Sequence, residues 1–295
     1  MDGPLVSAAW LREHLGDAGV RVVDCRFRLG EPGVAEELWR EEHIPGATFL
    51  DVDRDLAAPP GERGRHPLPD ADAFEAAARR AGIGRDTLVV AYDEAAEGGA
   101  ARLWWLLRHF GHGDIAVLDG GLRGWRAEGG ELRGGEEAVE EGDFRAAPPS
   151  SDDTTSIEDL GLGVFPFHFA RKNALPPGSG EVGPGSVLLL DARAGERYRG
   201  DVEPIDPVAG RIPGARNLPF AELAPGGRFL PPAELRARFE ALGLQSGDEA
   251  VAYCGSGITA CVLVLAAEIA GVEPVRLYPG SWSEWSGRSL PVERG

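Results

Sequence analysis

Four short segments in the first half of this chain recur in the second half in the same order, and no other feature limits its possible folds so strongly. VVDCR (22–26) matches LLDAR (189–193), and HIPGATFLDV (43–52) matches RIPGARNLPF (211–220). LVVAYD (88–93) matches EAVAYC (249–254), and VLDGGLRGW (117–125) matches LYPGSWSEW (277–285). Each match falls 160 to 168 residues after its first copy. A chain of 295 residues has room for two domains of ordinary size. Four matches in register therefore point to a tandem duplication of one unit.

Within each copy, short β-branched runs alternate with amphipathic segments. VLLLD (187–191) and AVAY (250–253) are continuous apolar runs, the pattern of buried parallel strands. PAELRARFEALG (232–243) has helical spacing at Leu235, Phe239 and Leu242 and stops on a glycine. ITACVLVLAAEIAG has the length of a helix and closes on Gly271, and VRLY (275–278) reads as a further strand. Strands alternating with helices predict an α/β fold with a parallel sheet, its functional loops at the carboxyl ends of the strands. The expected organisation is a first domain over 1–145, a linker over 146–186 and a second domain over 187–295. The linker is rich in Pro, Gly and Ser, but its middle, VFPFHFARKN, is aromatic enough to pack on something.

The formal charge of −18 argues against a nucleic-acid or anionic-membrane partner, but not against a small anionic substrate met by local arginines. No run approaches the roughly 18 apolar residues of a membrane span. MDGPLVSAAWLREHL lacks the basic-then-apolar order of a signal peptide. Cys25, Cys254 and Cys261 are too sparse for a disulfide framework, which suits a reducing cytoplasm. They have no metal-ligand spacing with the six histidines, so no metal is expected.

The chemistry concentrates in YCGSGITAC (253–261), where a strand gives way to a helix. GSGITA fits a dinucleotide fingerprint, yet it lies about 40 residues from the end of the chain, and no acidic residue ends the next strand. The other copy reads DEAAEGGA there, without the glycine fingerprint. A Walker loop is excluded because no lysine follows. A cysteine phosphatase needs an arginine six positions after its nucleophile, and here that position is Ala260. What remains is a thiolate site: N–H groups at a helix start favour negative charge on Cys254 or on a persulfide formed there. Gly255 and Gly257 let the backbone curl without Cβ clashes. A buried, inert thiol stays open as the alternative.

Both IPGA segments, the WW pair at 104–105, DGGLRGW, GSWSEW and CGSGITAC resemble the tandem-domain rhodanese-like sulfurtransferases over nearly the whole chain. The loop is similar to the 3-mercaptopyruvate form, CGSG[VI]TA. The thiosulfate branch usually carries basic residues directly after the cysteine, where this chain has Gly255 and Ser256. The resemblance implies two tandem rhodanese-like modules, each a parallel-sheet core flanked by helices, with only the second catalytic. Cys254 aligns with Asp93, so the first copy has no nucleophile. It also implies a two-stage covalent reaction without cofactor. Cys254 takes sulfur from a small anionic donor as a persulfide and passes it to a thiol, reduced thioredoxin or cyanide.

The resemblance further assigns Arg197, in ERYRG, to the donor's anionic end, a task for a planar fork that Arg199 could share. Gly255, Gly257, Ile258 and Thr259 form the donor loop around Cys254. Ser256 pairs with His66 (in RHPLP) and Asp53 (in LDVD) as a relay that protonates the departing enolate. One departure matters. Where mercaptopyruvate enzymes usually place a second arginine, nine residues beyond the first, this chain has Asp206, an acidic residue as in thiosulfate-type members. This position favours thiosulfate where the loop favours 3-mercaptopyruvate, and its carboxylate is expected to repel an anionic donor. Arg211, before the second IPGA, is the candidate to restore the missing charge. The rival readings are a thiosulfate:cyanide sulfurtransferase and a persulfide carrier or binding module without turnover.

Overall fold

The computed structural model describes residues 3–160, 187–244, 248–272 and 275–295. The chain divides into two compact units. The first comprises the described residues of 1–59, 68–150 and 224–229, and the second those of 60–67, 151–223 and 230–295. VFPFHFARKN, for which packing was expected, lies outside the described residues.

The first unit holds β1 (Leu5–Val6), α1 (Ala8–His14), β2 (Val20–Asp24), α2 (Val34–Glu41), β3 (Thr48–Phe49), α3 (Ala71–Arg80), β4 (Leu88–Tyr92), α4 (Gly99–His109), β5 (Ile115–Leu118) and α5 (Gly121–Ala127). Its five strands are parallel in the order β1-β5-β4-β2-β3. Helix starts are set locally: Ser7 and Asp70 accept N–H groups from Trp10 and Ala73, at 3.1 and 2.8 Å, and so cap α1 and α3.

The second unit holds β6 (Leu188–Asp191), α6 (Gly195–Arg199), β7 (Arg216–Asn217), α7 (Phe220–Leu223), α8 (Pro232–Ala241), β8 (Ala250–Tyr253), α9 (Ala260–Ala270), β9 (Val275–Leu277) and α10 (Ser281–Gly287). Its sheet is parallel in the order β7-β6-β8-β9. Every residue of β6 and β8 is buried, which is why both read as unbroken apolar runs. Helix α9 is buried along most of its length and stops at Gly271, whose φ of 65° is the left-handed C-cap conformation.

The four recurring segments perform the same packing tasks in both units. Asp24 and Asp191 end the strands β2 and β6. Each accepts the backbone N–H of the arginine two residues on, at 2.9 Å, and pairs with its guanidinium. Those arginines, Arg26 and Arg193, reach on to the carbonyls of Glu42 and Gly210, both at 2.7 Å, just ahead of the IPGA segments. Ile44 and Ile212 each donate a backbone N–H to the hydroxyl of Tyr92 or Tyr253, at 3.3 Å. Trp125 and Trp285 tie the chain that follows them through indole bonds to Glu131 and Pro291. A buried carboxylate without its arginine is strongly destabilising, so these residues resist change independently of any chemistry.

The boundaries differ from those expected at 145 and 187. Thr154 bridges to Leu277 in parallel, Thr155 N–H donates to the Leu277 carbonyl, and Ile157 and Leu160 enter the second unit's core. Thr154 thus takes, beside β9, the place that β1 takes beside β5. Polar composition hid this because one bridging residue needs no hydrophobic run. The exchanged segments 60–67 and 224–229 carried no compositional sign either. Segment 60–67 is held through side chains, such as the Arg65–Asp206 pair at 2.8 Å, and segment 224–229 through bonds such as Gly120 N–H to the Gly227 carbonyl at 3.1 Å.

Candidate active site

Cys254 follows β8 directly and is 2% exposed. The Gly257 N–H donates to its Sγ at 3.1 Å, so a backbone dipole stabilises negative charge on the sulfur. Gly257 has φ of 83°, and a Cβ there would meet the Pro279 carbonyl oxygen at 2.5 Å. Only glycine satisfies both conditions. The turn into α10 fixes the rest of the loop: Trp282 N–H donates to the Cys254 carbonyl at 3.0 Å and Ser283 N–H to the Gly255 carbonyl at 2.9 Å. Ser281, fully buried, accepts the Cys254 N–H on its Oγ at 3.1 Å and donates to the Tyr278 carbonyl at 2.9 Å. It does so with φ of 53°, a left-handed conformation that costs a side-chain-bearing residue about 1–2 kcal/mol.

Segment 60–67 supplies two more groups to this unit. Gly61 and Gly64 exchange backbone hydrogen bonds of 3.0 Å, closing a tight turn. Arg65 N–H then donates to Ser283 Oγ at 3.0 Å, which seats the turn on the 280–283 corner. The next residue, His66, is buried, and its Nδ1 shares a hydrogen bond of 2.6 Å with Ser256 Oγ. The Ser256–His66 pair named from the sequence is therefore assembled beside Cys254.

Around Gly255 the site is built of arginines and carboxylates. Arg65 Nη1 pairs with Asp206 Oδ1 at 2.8 Å, and Arg197 Nη2 pairs with Asp206 Oδ2 at 3.1 Å. Arg197 is also held by Glu203 at 2.6 Å, and Glu203 touches Arg193 at 3.4 Å. Burial pushes the Glu203 carboxyl up. The Arg197 hydrogen bond and the Asp206 and Ile205 N–H groups outweigh that, leaving it below the usual carboxylate range. A Cβ on Gly255 would lie 3.4 Å from Arg65 Nη2 and 3.5 Å from Arg197 Nη1, so both guanidinium groups reach the residue after Cys254.

The other residues named from the sequence fall as follows. Ile258 is buried, and Thr259 precedes α9 without a side-chain cap. Asp53 belongs to the first unit, exposed in a turn where its N–H donates to the Asp51 carboxylate at 2.8 Å. Arg211 does not bring free charge to the loop. It pairs with Glu293, donates to the Gly295 carbonyl at 2.7 Å and stacks 4.4 Å from the Tyr198 ring centre. Arg199 is exposed and bound to Asp201 at 2.8 Å. Cys25 and Cys261 are buried free thiols. Burial, then the charges of Asp24, Asp93 and Asp55, push the Cys25 thiol well up, which disfavours its thiolate.

Sequence reasoning missed Arg65 and Ser281. Arg65 had one signal, its place beside His66. Ser281 had another: it stands where the first copy has Gly121, and a serine replacing a glycine at a left-handed position asks for a reason. Among the described residues no group of three or more potential ligands could hold a metal, and no helix is long and apolar enough to cross a membrane.

Comparison with known proteins agrees with this architecture. A Pseudomonas aeruginosa relative with a 3-mercaptopyruvate sulfurtransferase name is 43% identical over 289 residues, covering 95% of this chain and 94% of its own. A Mycobacterium tuberculosis relative with a thiosulfate sulfurtransferase name is 40% identical over 296 residues, covering 99% of this chain and 97% of its own. The crystal structure of an Escherichia coli 3-mercaptopyruvate sulfotransferase superposes with a TM-score of 0.77 at 32% identity, over 95% of this chain and 99% of that one. Residues 7–128 and 180–288 each match the rhodanese-like domain family, and the chain belongs to that family.

Proposed function

We propose that this protein is a sulfurtransferase that moves a sulfur atom from 3-mercaptopyruvate, through a persulfide on Cys254, to a thiol acceptor. The observation that carries the reading is the Cys254 sulfur held on the Gly257 N–H, with Ser256 and His66 hydrogen-bonded to each other beside it. The Cys254 thiolate attacks the donor's sulfur and forms an S–S bond. The donor's C–S bond breaks, and its electron pair stays on carbon as the enolate of pyruvate. The Ser256–His66 pair delivers the proton that converts this enolate to pyruvate. An acceptor thiolate then attacks the outer sulfur and releases Cys254 as thiolate. Reduced thioredoxin and cyanide are acceptors of the same nucleophilic kind. The resemblance gives Asp53 the third place in this relay, and Asp53→Asn tests that role through kcat. Three free cysteines fit a reducing compartment, and we assign the enzyme to the cytoplasm.

Thiosulfate is the second reading, and Asp206 was its support. That support weakens, because Asp206 is taken up by Arg65 and Arg197 rather than left to repel a donor. The deciding measurement is kcat/KM for both donors with one acceptor, on wild type and Cys254→Ser. A preference for 3-mercaptopyruvate that vanishes in the variant supports the first reading, and a preference for thiosulfate overturns it. Folded protein with no turnover of either donor identifies a persulfide carrier.

A further inference from the structure

We propose that Arg65 is a second donor-binding arginine beside Arg197, and that Asp206 positions both and sets how many negative charges the donor may carry. The proposal rests on the sulfurtransferase reading above and adds the residues that choose the donor.

The geometry has three parts. Arg65 and Arg197 approach Gly255 from separate segments, with Nη2 and Nη1 at 3.4 and 3.5 Å from where a Cβ would stand. The space beside the nucleophile that a basic side chain at 255 would fill is thus served by two guanidinium groups brought from elsewhere. Both keep partial exposure, 24% for the Arg65 side chain and 17% for that of Arg197, so a small anion can reach them. The buried Nε of Arg65 has no hydrogen-bond partner among the described residues, so this guanidinium is not satisfied by the protein alone. Asp206, its side chain 2% exposed, bridges the two arginines: Arg65 reaches both carboxylate oxygens, at 2.8 and 3.4 Å, and Arg197 shares Oδ2 at 3.1 Å. A buried bridge of this kind fixes both forks in place.

The charges of the cluster balance. Arg65, Arg193 and Arg197 face Asp191, Glu203 and Asp206. In a neutral cluster, attraction and repulsion from the fixed charges largely offset, so the cost of taking the donor's charge out of water goes uncompensated, and that cost is greater for a dianion than for a single carboxylate. The Asp206 carboxylate that suggested a thiosulfate enzyme therefore acts against thiosulfate, the dianion, and in favour of 3-mercaptopyruvate. Replacing it by asparagine keeps an oxygen for Arg65 and leaves the cluster one positive charge in excess.

Steady-state kinetics on Arg65→Gln, Asp206→Asn and Asp206→Glu test this with both donors. Arg65→Gln is expected to raise the donor KM about tenfold or more while kcat stays within about twofold, as for loss of a charge-assisted hydrogen bond to bound donor. Asp206→Asn is expected to raise the ratio of thiosulfate to 3-mercaptopyruvate kcat/KM by about tenfold. Asp206→Glu should restore the wild-type ratio even if both rates fall. A merely structural Asp206 would lower both donors alike and leave the ratio unchanged, and that result overturns the proposal. An unchanged KM in Arg65→Gln overturns it too. Calorimetric titration of Cys254→Ser with thiosulfate and with pyruvate, with and without the Asp206→Asn change, reads the same ratio without turnover. If wild type turns over neither donor, the sulfurtransferase reading fails by itself, and the charge-selection proposal stands or falls on those titrations.

Discussion

The loops at 93–98 and 254–259 sit in the same frame and have opposite chemistry. Each follows a buried strand, each precedes an 11-residue helix, and each is tied at its first carbonyl by an N–H from the next helix start, Leu122 or Trp282. Each also turns through a left-handed residue at the corresponding position, Ala96 with φ of 57° and Gly257 with φ of 83°. The difference is the occupant. In the first loop the Asp93 carboxylate accepts the N–H groups of Gly98 and Ala100 at 3.0 and 3.2 Å, so the side chain fills its own cradle. In the second, the Gly257 N–H points at the Cys254 sulfur instead, the atom that the proposed reaction extends by one more sulfur and releases again. The fold provides N–H groups for an anion in both units, and one side chain decides whether that anion is structural or reactive.

The largest expected effect breaks this comparison at its centre. Cys254→Ser is expected to lower kcat by about 10³-fold or more, because an alcohol cannot carry the persulfide. Asp93→Ala should leave turnover in place and instead destabilise the protein by about 2–4 kcal/mol, by orphaning buried N–H groups. Denaturant titration beside a rate assay reads both. Burial pushes the Asp93 carboxyl up, and the loop N–H groups recover only part of that shift. The folded state therefore binds its proton more tightly than the unfolded chain. Stability should fall as pH rises from the unfolded value, about 3.9, through the raised one, and Asp93→Asn should remove that slope. A slope of opposite sign would mean that Asp93 is held as a favoured anion.

A smaller effect separates proton delivery from sulfur attack. His66→Ala should lower kcat about 100-fold with 3-mercaptopyruvate, whose enolate needs a proton, and much less with thiosulfate, whose leaving sulfite needs none. Equal losses with both donors would show that His66 only holds Ser256 in place.

The two rhodanese-like domains, their parallel sheets and the strand-to-helix turn that carries Cys254 were legible because they rest on contiguous signals: apolar runs, a glycine stop, a loop motif. Arg65 was not legible because its role depends on a turn closed by Gly61 and Gly64 and seated on Ser283, a contact 218 residues distant in sequence. Asp206 was misjudged for a related reason. Its charge was visible, but the arginine that shares its carboxylate lies 141 residues away. Arg211 was misplaced because a guanidinium near a site in sequence was counted as charge for that site, whereas Glu293 and the Gly295 carbonyl hold it at the C-terminal end of the chain. Charge in a sequence is a quantity, and only folding says which charges cancel.

The smallest effect tests why a serine stands at a position better suited to glycine. Ser281 and Gly121 occupy the same corner with φ of 53° and 58°. Ala96→Gly relieves a left-handed alanine with no hydroxyl to lose, and should stabilise the protein by about 1 kcal/mol. Ser281→Gly relieves the same kind of strain but removes the acceptor of the Cys254 N–H. A lost buried hydrogen bond of about 1 kcal/mol should cancel the backbone gain. Tm should then barely move in Ser281→Gly, while kcat falls by a few-fold as the nucleophile's backbone loosens. If Ser281→Gly instead raises Tm as much as Ala96→Gly and leaves kcat unchanged, the hydroxyl does not hold the loop, and the strain at Ser281 has some other origin.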